Sequence, residues 1–501
     1  MRFRKYQLAL LVIFFVSVLI RMPNFNRPLS KHHEFNAAMV LIGMDYWNEN
    51  GGPSSTYYTP VLNYSKQGDR NLDLQTSLLT DAKGNLIYAS FGAGWFLYPY
   101  YFFKVFSLTP SPATLMIFNL VLSLICMVLV FSISRKFFSE QDSNNPYKSL
   151  GVVFLYLLNP CTLWYTGNGY VHEVMVLPFF LMQVNLFIDF IKSESAFSKG
   201  KLLLYFLVTL LGVFSDWLCI VWLMVTFIYA LNRVGADRKW VSYLLVAVGS
   251  GIFSVGLVIF HYGNYLGVED YLNALANRYQ SRGMMNISIK SMDDFLFKIV
   301  KHYLTSYLSL LLLLSIFAGF YLIKLFKRQK ITLNLDTASK HILLLTFFTP
   351  FLHHVLFLEF TSVHEYAVLK AALFLSLATG TLLFASKIPV KALLLIFFIV
   401  SITQYYYINR VGPISLNGDR YDYTEITGSL IQKNAHDNEV VFVNDSKMRP
   451  QISYYAKRTI LHAATLEQAK QVLRQQPGKL KGVWFNIDNG VVVSIHHFDI
   501  E

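Results

Sequence analysis

Charge is scarce in this 501-residue chain: 15% of its residues are Asp, Glu, Lys or Arg, against 54% hydrophobic ones, and Phe alone supplies 42. So thin a charge cannot clothe a water-soluble surface, which excludes an ordinary globular protein and leaves lipid as the solvent. Cysteine is nearly missing too. Its three copies, Cys126, Cys161 and Cys219, fall inside apolar runs, where they read as small buried thiols and not as a disulfide framework or a metal cage. No glycine-rich phosphate loop, no His-Glu-x-x-His helix and no Gly-x-Ser-x-Gly elbow occurs, so nucleotide hydrolysis and serine-hydrolase chemistry find no support. The stretch before Pro23 lacks a small-residue cleavage site, and the first apolar run is therefore expected to remain as a span. Short-period repeats and low-complexity tracts are absent as well.

What is present is a succession of apolar runs between Tyr6 and Tyr407. Most are long enough to cross a hydrocarbon core as helices with their backbone bonds satisfied internally. The expected spans lie near 6–22, 112–134, 149–167, 174–191, 201–215, 217–233, 240–262, 301–324, 341–359, 366–386 and 390–407, about eleven in all. Lys and Arg outnumber Asp and Glu by 43 to 30, but they sit in short connectors and not on one continuous face, which argues against a nucleic-acid partner. The placement is instead a topology signal: Arg2, Arg4, Lys5, Arg135, Lys136, Lys192, Arg238, Lys239, Lys327 and Lys391 all fall on one side if the N-terminus is cytoplasmic.

The opposite side then receives a long first loop (23–111), a turn near 168–173, another at 215–217, a loop at 263–300, a short turn at 360–365 and the C-terminus. Within the first loop, Asn36 to Trp47 and Phe91 to Phe106 carry apolar residues at helical spacing, as expected of helices lying along the interface. Residues 1–407 thus read as a helical membrane domain and 408–501 as a small α/β domain outside it. In the latter, Val440 to Val443 and Lys481 to Phe485 look like strands and Thr465 to Gln475 like an amphipathic helix.

Ionisable residues at the outer ends of spans are functional candidates, because charge at membrane depth is expensive. They recur here as His32-His33-Glu34, His172-Glu173, Asp216, His353-His354 and His364-Glu365. Acids beside imidazoles would give a reaction its general base, or a divalent ion its ligands; taken singly, each pair would equally suit bonding to headgroups and water. Glu34, just behind a span and ahead of a helix, is the first candidate base, the plainer reading being a carboxylate favoured by the helix dipole. Asp45 shares its helical face but lies about 16 Å along the axis. A lipid phosphate would need cations, and Arg278, Arg282, Lys301 and Lys370 are placed to supply them.

The layout resembles the GT-C class of integral-membrane glycosyltransferases, especially the branch with protein O-mannosyltransferases and the lipid A aminoarabinose transferase, over essentially the whole chain. The likeness rests on one span and then a long outer loop opening with Arg21-Met22-Pro23 and the acidic Glu34. An aromatic segment from Tyr88 to Tyr100, a stretch from Pro160 to Glu173 and a C-terminal outer domain complete it. The resemblance implies inverting transfer from a polyprenyl-phosphate sugar to a glycan, lipid or protein acceptor. It makes Glu34 the catalytic base and gives Glu173 the task of orienting the acceptor or assisting a divalent metal ion. His33, His172, Asp216, Arg278, Arg282, Lys301, His364 and Lys370 would bind substrate. It further implies a bacterial inner membrane, with the last domain periplasmic. Two departures stand out: His-His-Glu replaces the acidic pair common in the first loop, and Gly92-Ala93-Gly94 replaces a Pro-Pro. An O-antigen ligase or polymerase and a lipid-linked-sugar flippase are the competing readings. The first is disfavoured by the early position of the large loop, the second by the lack of paired broken spans in two related halves.

Overall fold

The computed structural model of the chain describes residues 2–25, 27–29, 34–69, 72, 79–81, 83–138, 144–167, 169–193, 198–235, 237–283, 289–328, 335–386, 388–408, 423–446, 449–476 and 478–500. Helix α1 (Arg2–Arg21) leads into the first loop, which carries α2 (Phe35–Glu49), the antiparallel pair β1 (Leu79–Thr80) and β2 (Leu86–Ile87), and α3 (Gly94–Val105). Next come α4 (Pro112–Phe137), α5 (Asn145–Leu158), α6 (Pro160–Tyr165), α7 (His172–Lys192), α8 (Lys199–Val213) and α9 (Leu218–Leu231). The helical body ends with α10 (Lys239–Leu266), α11 (Val268–Arg282), α12 (Ile289–Phe326), α13 (Thr337–Leu356), α14 (Leu358–Val363), a 3₁₀ turn Glu365–Ala371, α15 (Ala372–Ala385) and α16 (Val390–Thr403).

Every expected span falls on helix. Among the described residues, six stretches are long and apolar enough to cross a membrane: Lys5–Asn24, Pro112–Phe137, His172–Lys192, Lys239–Leu266, Met292–Phe326 and Glu365–Ala385. Two shorter apolar helices, Leu218–Leu231 and Val390–Tyr406, accompany them. The chain is an integral-membrane helical protein. Its centre is set by burial: the stretches holding α7 and α15 are 72% and 78% buried, those holding α1, α10 and α12 only 22–28%. The two inner segments are the ones that carry Glu173 and Lys370.

Local chemistry explains where the helices break. Ser111 caps α4 in a reciprocal capping box with Thr114, and Pro112 takes the first helical position. The expected span 149–167 is two helices, because Pro160 opens α6 while the Asn159 side chain accepts from the Thr162 N–H. The expected loop at 263–300 is mostly helical. Gly267, at φ 92°, ends α10, and α11 starts at once with Glu269 and Asp270 in its first turn and Arg282 in its last, as the helix dipole favours. Tyr271 and Leu275 give it a face to bury, which spacing in a short polar sequence does not reveal. Helix α12 kinks at Tyr307, whose hydroxyl donates to the Val368 carbonyl in the 3₁₀ turn.

The C-terminal domain contains α17 (Tyr423–Asn434), β3 (Val440–Val443), α18 (Arg449–Ala456), β4 (Ile460–His462), α19 (Leu466–Arg474), β5 (Lys481–Asp488) and β6 (Val491–Asp499). The sheet order is β4-β3-β5-β6, with β3 parallel to β4 and β5, and β6 antiparallel on the edge. Parallel neighbours require helical crossovers, and α18 and α19 supply them. Ile431 and Ile452 cover one face with Val441 and Val483, while Ala469 and Leu473 cover the other with Phe442 and Trp484. Buried on both sides, β3 reads as an unbroken apolar run.

Helix α2 packs between α3 and α18, which is why ten of its residues, from Asn36 to Trp47, are buried. The first loop and the C-terminal domain are stitched together by charge: Lys457 Nζ meets Asp45 at 2.5 Å, Lys66 meets Asp437 at 3.1 Å, and the buried Arg458 meets Asp69 at 3.1 Å.

Candidate active site

Three separate helix ends deliver the central charges. His172 and Glu173 are the first two residues of α7, where unpaired backbone N–H groups and the helix dipole favour an anion. Asp216 sits in the tight turn between α8 and α9, held there because its Oδ1 accepts from the Leu218 N–H at 2.7 Å. Lys370 arrives from the 3₁₀ turn ahead of α15. All four side chains are buried. Lys370 Nζ lies 3.0 Å from Glu173 Oε1 and 3.5 Å from Asp216 Oδ2, and His172 Nε2 lies 3.0 and 3.4 Å from the same two atoms. Two carboxylates, one ammonium and one imidazole therefore share a dry site, neutral overall only when the imidazole carries a proton. Buried charge is tolerable in such mutual pairing and hardly otherwise.

The first loop packs against this group. The ring of Phe91 stacks on His172 at 3.8 Å, and the Gly94 N–H donates to the Phe214 carbonyl at 2.7 Å, one residue before the turn that holds Asp216. Gly92 and Gly94 lie so close to Phe214 that a Cβ on either would fall 2.3 or 2.7 Å from its carbonyl oxygen. This close approach of two backbones is a physical reason for the Gly92-Ala93-Gly94 sequence.

His172 opens onto a cavity of about 400 Å³. Its wall includes Asn36, Tyr88, Trp217, His353, His364 and Tyr366, and α11 adds Arg278 and Arg282. Arg282 faces Glu359 at 3.8 Å. Burial pulls the Arg278 guanidinium below its ordinary range, so an anion entering the cavity would return some of the solvation it has lost. One wall thus presents guanidinium groups and another an imidazole backed by carboxylates, a combination that can bind a phosphate and handle a proton.

Of the residues singled out in the sequence, His172, Arg278, Arg282, His353 and His364 line this cavity, and Glu173, Asp216 and Lys370 stand directly behind His172. Glu34 is set back. It is buried, it forms an ion pair with Arg27, and the residues that follow it, Phe35 and Asn36, reach the wall. Lys301 is exposed on α12, six residues before the kink at Tyr307, and is not among the cavity's lining residues. His32 and His33 lie outside the described residues. Sequence reading passed over Arg27, whose only signal was a cation seven residues before Glu34 in a polar stretch. It also passed over the neutral wall formed by Asn36, Tyr88 and Tyr366.

His172, Glu173 and Asp216 offer donor atoms within 4.8 Å of one another, and Glu173 Oε2 and Asp216 Oδ2 have no hydrogen-bond partner. By type and spacing this donor set suits a divalent ion. Lys370 draws on the same carboxylates, so an ion and the ammonium would compete for one place.

Neither a family model nor a curated protein sequence matches the chain. Solved structures do. The archaeal oligosaccharyltransferase AglB from Archaeoglobus fulgidus, in complex with an inhibitory peptide and a dolichol-phosphate, superposes with a TM-score of 0.56 at 11% identity, over 96% of this chain and 69% of that one. The Archaeoglobus fulgidus oligosaccharyltransferase in complex with Zn and sulfate gives 0.53 at 12% identity, over 95% and 68%. ArnT from Cupriavidus metallidurans, bound to undecaprenyl phosphate, gives 0.57 at 10% identity, over 96% and 92%. At such identities the likeness is one of fold, and that fold is the one shared by the GT-C class of integral-membrane glycosyltransferases.

Proposed function

We propose that the chain transfers a sugar from a polyprenyl-phosphate donor to an acceptor hydroxyl of a glycan, lipid or protein, with inversion. The reaction would take place at the outer face of a bacterial inner membrane, with the C-terminal domain periplasmic. The observation that carries this reading is the cavity with guanidinium groups on one wall and the buried His172, Glu173, Asp216 and Lys370 group on another. AglB and ArnT, which share the fold, are described with dolichol-phosphate and undecaprenyl phosphate. An apolar groove of about 630 Å³ between α9 and α10 offers an isoprenoid tail a path. Its upper residue, Ile220, lies one helical turn beyond Trp217 of the cavity wall.

In this reading Arg278 and Arg282 hold the donor phosphate and stabilise it as it leaves with a second negative charge. Glu34 takes the proton of the acceptor oxygen as that oxygen attacks the anomeric carbon from the opposite face. Arg27 must release the carboxylate for this. Glu173 and Asp216, through His172, orient the acceptor. A divalent ion held by those three residues would supply Lewis-acid polarisation of an oxygen.

The test uses the full chain in detergent. Undecaprenyl phosphate alone should raise the melting temperature of the wild type and not that of an Arg278→Ala/Arg282→Ala variant. With an undecaprenyl-phosphate sugar donor and a hydroxyl acceptor, Glu34→Gln should lose about 10²- to 10⁴-fold in rate, the usual range for a general base. Full activity in Glu34→Gln together with loss in Glu173→Gln would transfer the base role to the buried group. No thermal response to the lipid phosphate in the wild type would overturn the proposal.

A further inference from the structure

We propose that His436, Glu439 and His497 form a transition-metal site, of the zinc type, in the C-terminal domain. The sheet brings them together. Val441 on β3, Val483 on β5 and His497 on β6 occupy one rung, so their side chains leave the same face, and Glu439 precedes Val441 by two positions, the strand repeat. His436 closes the turn after α17. Its N–H donates to Glu439 Oε2 at 2.7 Å, and its carbonyl accepts from the Glu439 N–H at 3.1 Å. His497 Nδ1 lies 2.7 Å from Glu439 Oε1, and the two imidazole rings stand 5.5 Å apart. One donor atom from each residue falls within 4.8 Å of the others.

The three groups differ in burial. Glu439 is 5% exposed, anchored by one oxygen on backbone, while both imidazoles are open to solvent and can turn toward an ion. Two imidazoles and one carboxylate leave a fourth tetrahedral position for water, a set that suits Zn²⁺ and the neighbouring first-row ions. The support behind the ligands is equally organised. Arg458 donates to the carbonyls of His436 and Glu439 at 3.0 and 2.6 Å while pairing with Asp69 of the first loop. The Gly68 N–H donates to the Asp437 carbonyl between them. An ion here would tie the edge strand β6 to the turn that grips the first loop. It shares no residue with the cavity, so its part is to fasten the domain, not to act on substrate.

The experiment uses full-length protein freed of metal with chelator, then titrated with Zn²⁺, and with Co²⁺ as a spectroscopic probe. The wild type should bind one more ion than the His436→Ala/His497→Ala variant. The Co²⁺ absorption of the wild type should lose the part due to this site with those imidazoles, and Zn²⁺ should raise the melting temperature of the wild type more than that of the double variant. His497→Cys should retain binding because a thiolate replaces the imidazole as ligand, a result that a merely structural histidine would not give. Both altered side chains are at the surface, and circular dichroism checks that the variants fold. Equal ion counts in wild type and double variant, whether zero or more, would overturn the assignment. The count is independent of any ion at His172, Glu173 and Asp216, which all these variants keep.

Discussion

Replacing Lys370 by methionine removes the cation from the buried group while nearly keeping its volume. At an effective dielectric of about 20, unit charges 3.0 and 3.5 Å apart attract by roughly 5 kcal/mol apiece. Desolvation of the ions cancels most of that sum, and what survives in comparable buried pairs is a loss of about 3–5 kcal/mol when one partner is removed. The loss comes chiefly from Glu173 and Asp216, left facing each other without an ammonium between them. Lys370→Met should therefore melt several degrees below the wild type in detergent, and adding Glu173→Gln should restore part of the difference. The double-mutant cycle should return a coupling of about 1–3 kcal/mol. The vacated place should also accept an ion, so that Mn²⁺ or Zn²⁺ stabilises Lys370→Met more than the wild type. A single variant that melts with the wild type, or a cycle with no coupling, would refute the claim that this ammonium neutralises the two carboxylates.

Two further outcomes follow from the geometry. Gly92→Ala would force a methyl group to within 2.3 Å of the Phe214 carbonyl. Because that contact is with backbone and cannot swing aside, the first loop should lift from the turn holding Asp216, lowering both melting temperature and donor binding. Arg458→Met would leave the Asp69 carboxylate buried without its guanidinium, at about 3–5 kcal/mol; limited proteolysis should then cut the first loop faster than in the wild type, and unchanged cleavage would mean that the clasp bears no strain of docking.

The features legible in the sequence were those written in single segments. Apolar runs marked the helices, an acid beside an imidazole marked His172 and Glu173, an acid at a turn marked Asp216, and a charge inside an apolar stretch marked Lys370. What was illegible depends on contacts between distant segments. Glu34 stood out as an acid behind a span, but that its carboxylate rests on Arg27 is a contact no periodicity announces. Arg278 and Arg282 were visible as cations, yet their convergence on one cavity needed α11, whose polar composition hides its buried face at Tyr271 and Leu275. Lys301 looked equivalent to them and is not. It precedes the kink at Tyr307, and its side chain is exposed and not part of the cavity wall. In the C-terminal domain, β3 and the Val483-Trp484-Phe485 centre of β5 announced themselves as short apolar runs, whereas the edge strand β6 was passed over although it opens with Val491-Val492-Val493, because Ser494, His496, His497 and Asp499 interrupt the pattern after it.

The position of the C-terminal domain also bears on Glu34. The Leu29 N–H donates to the Tyr455 hydroxyl at 2.9 Å, and the Leu29 carbonyl accepts from the Thr424 hydroxyl at 2.6 Å. Both sides of that one peptide segment, two residues beyond Arg27 and five before Glu34, are thus held by α17 and α18 of the C-terminal domain. A backbone fixed at Leu29 restricts where Arg27 can go, and Arg27 in turn sets the direction of the Glu34 carboxylate. Lys457 and Tyr64 add to the same seam, both bonding Asp45 on the helix that Glu34 begins. Loosening this domain should consequently be felt at the first-loop acid before it is felt at His172 or Lys370, which are held by α7, the turn at Asp216 and the 3₁₀ turn, all inside the helical body.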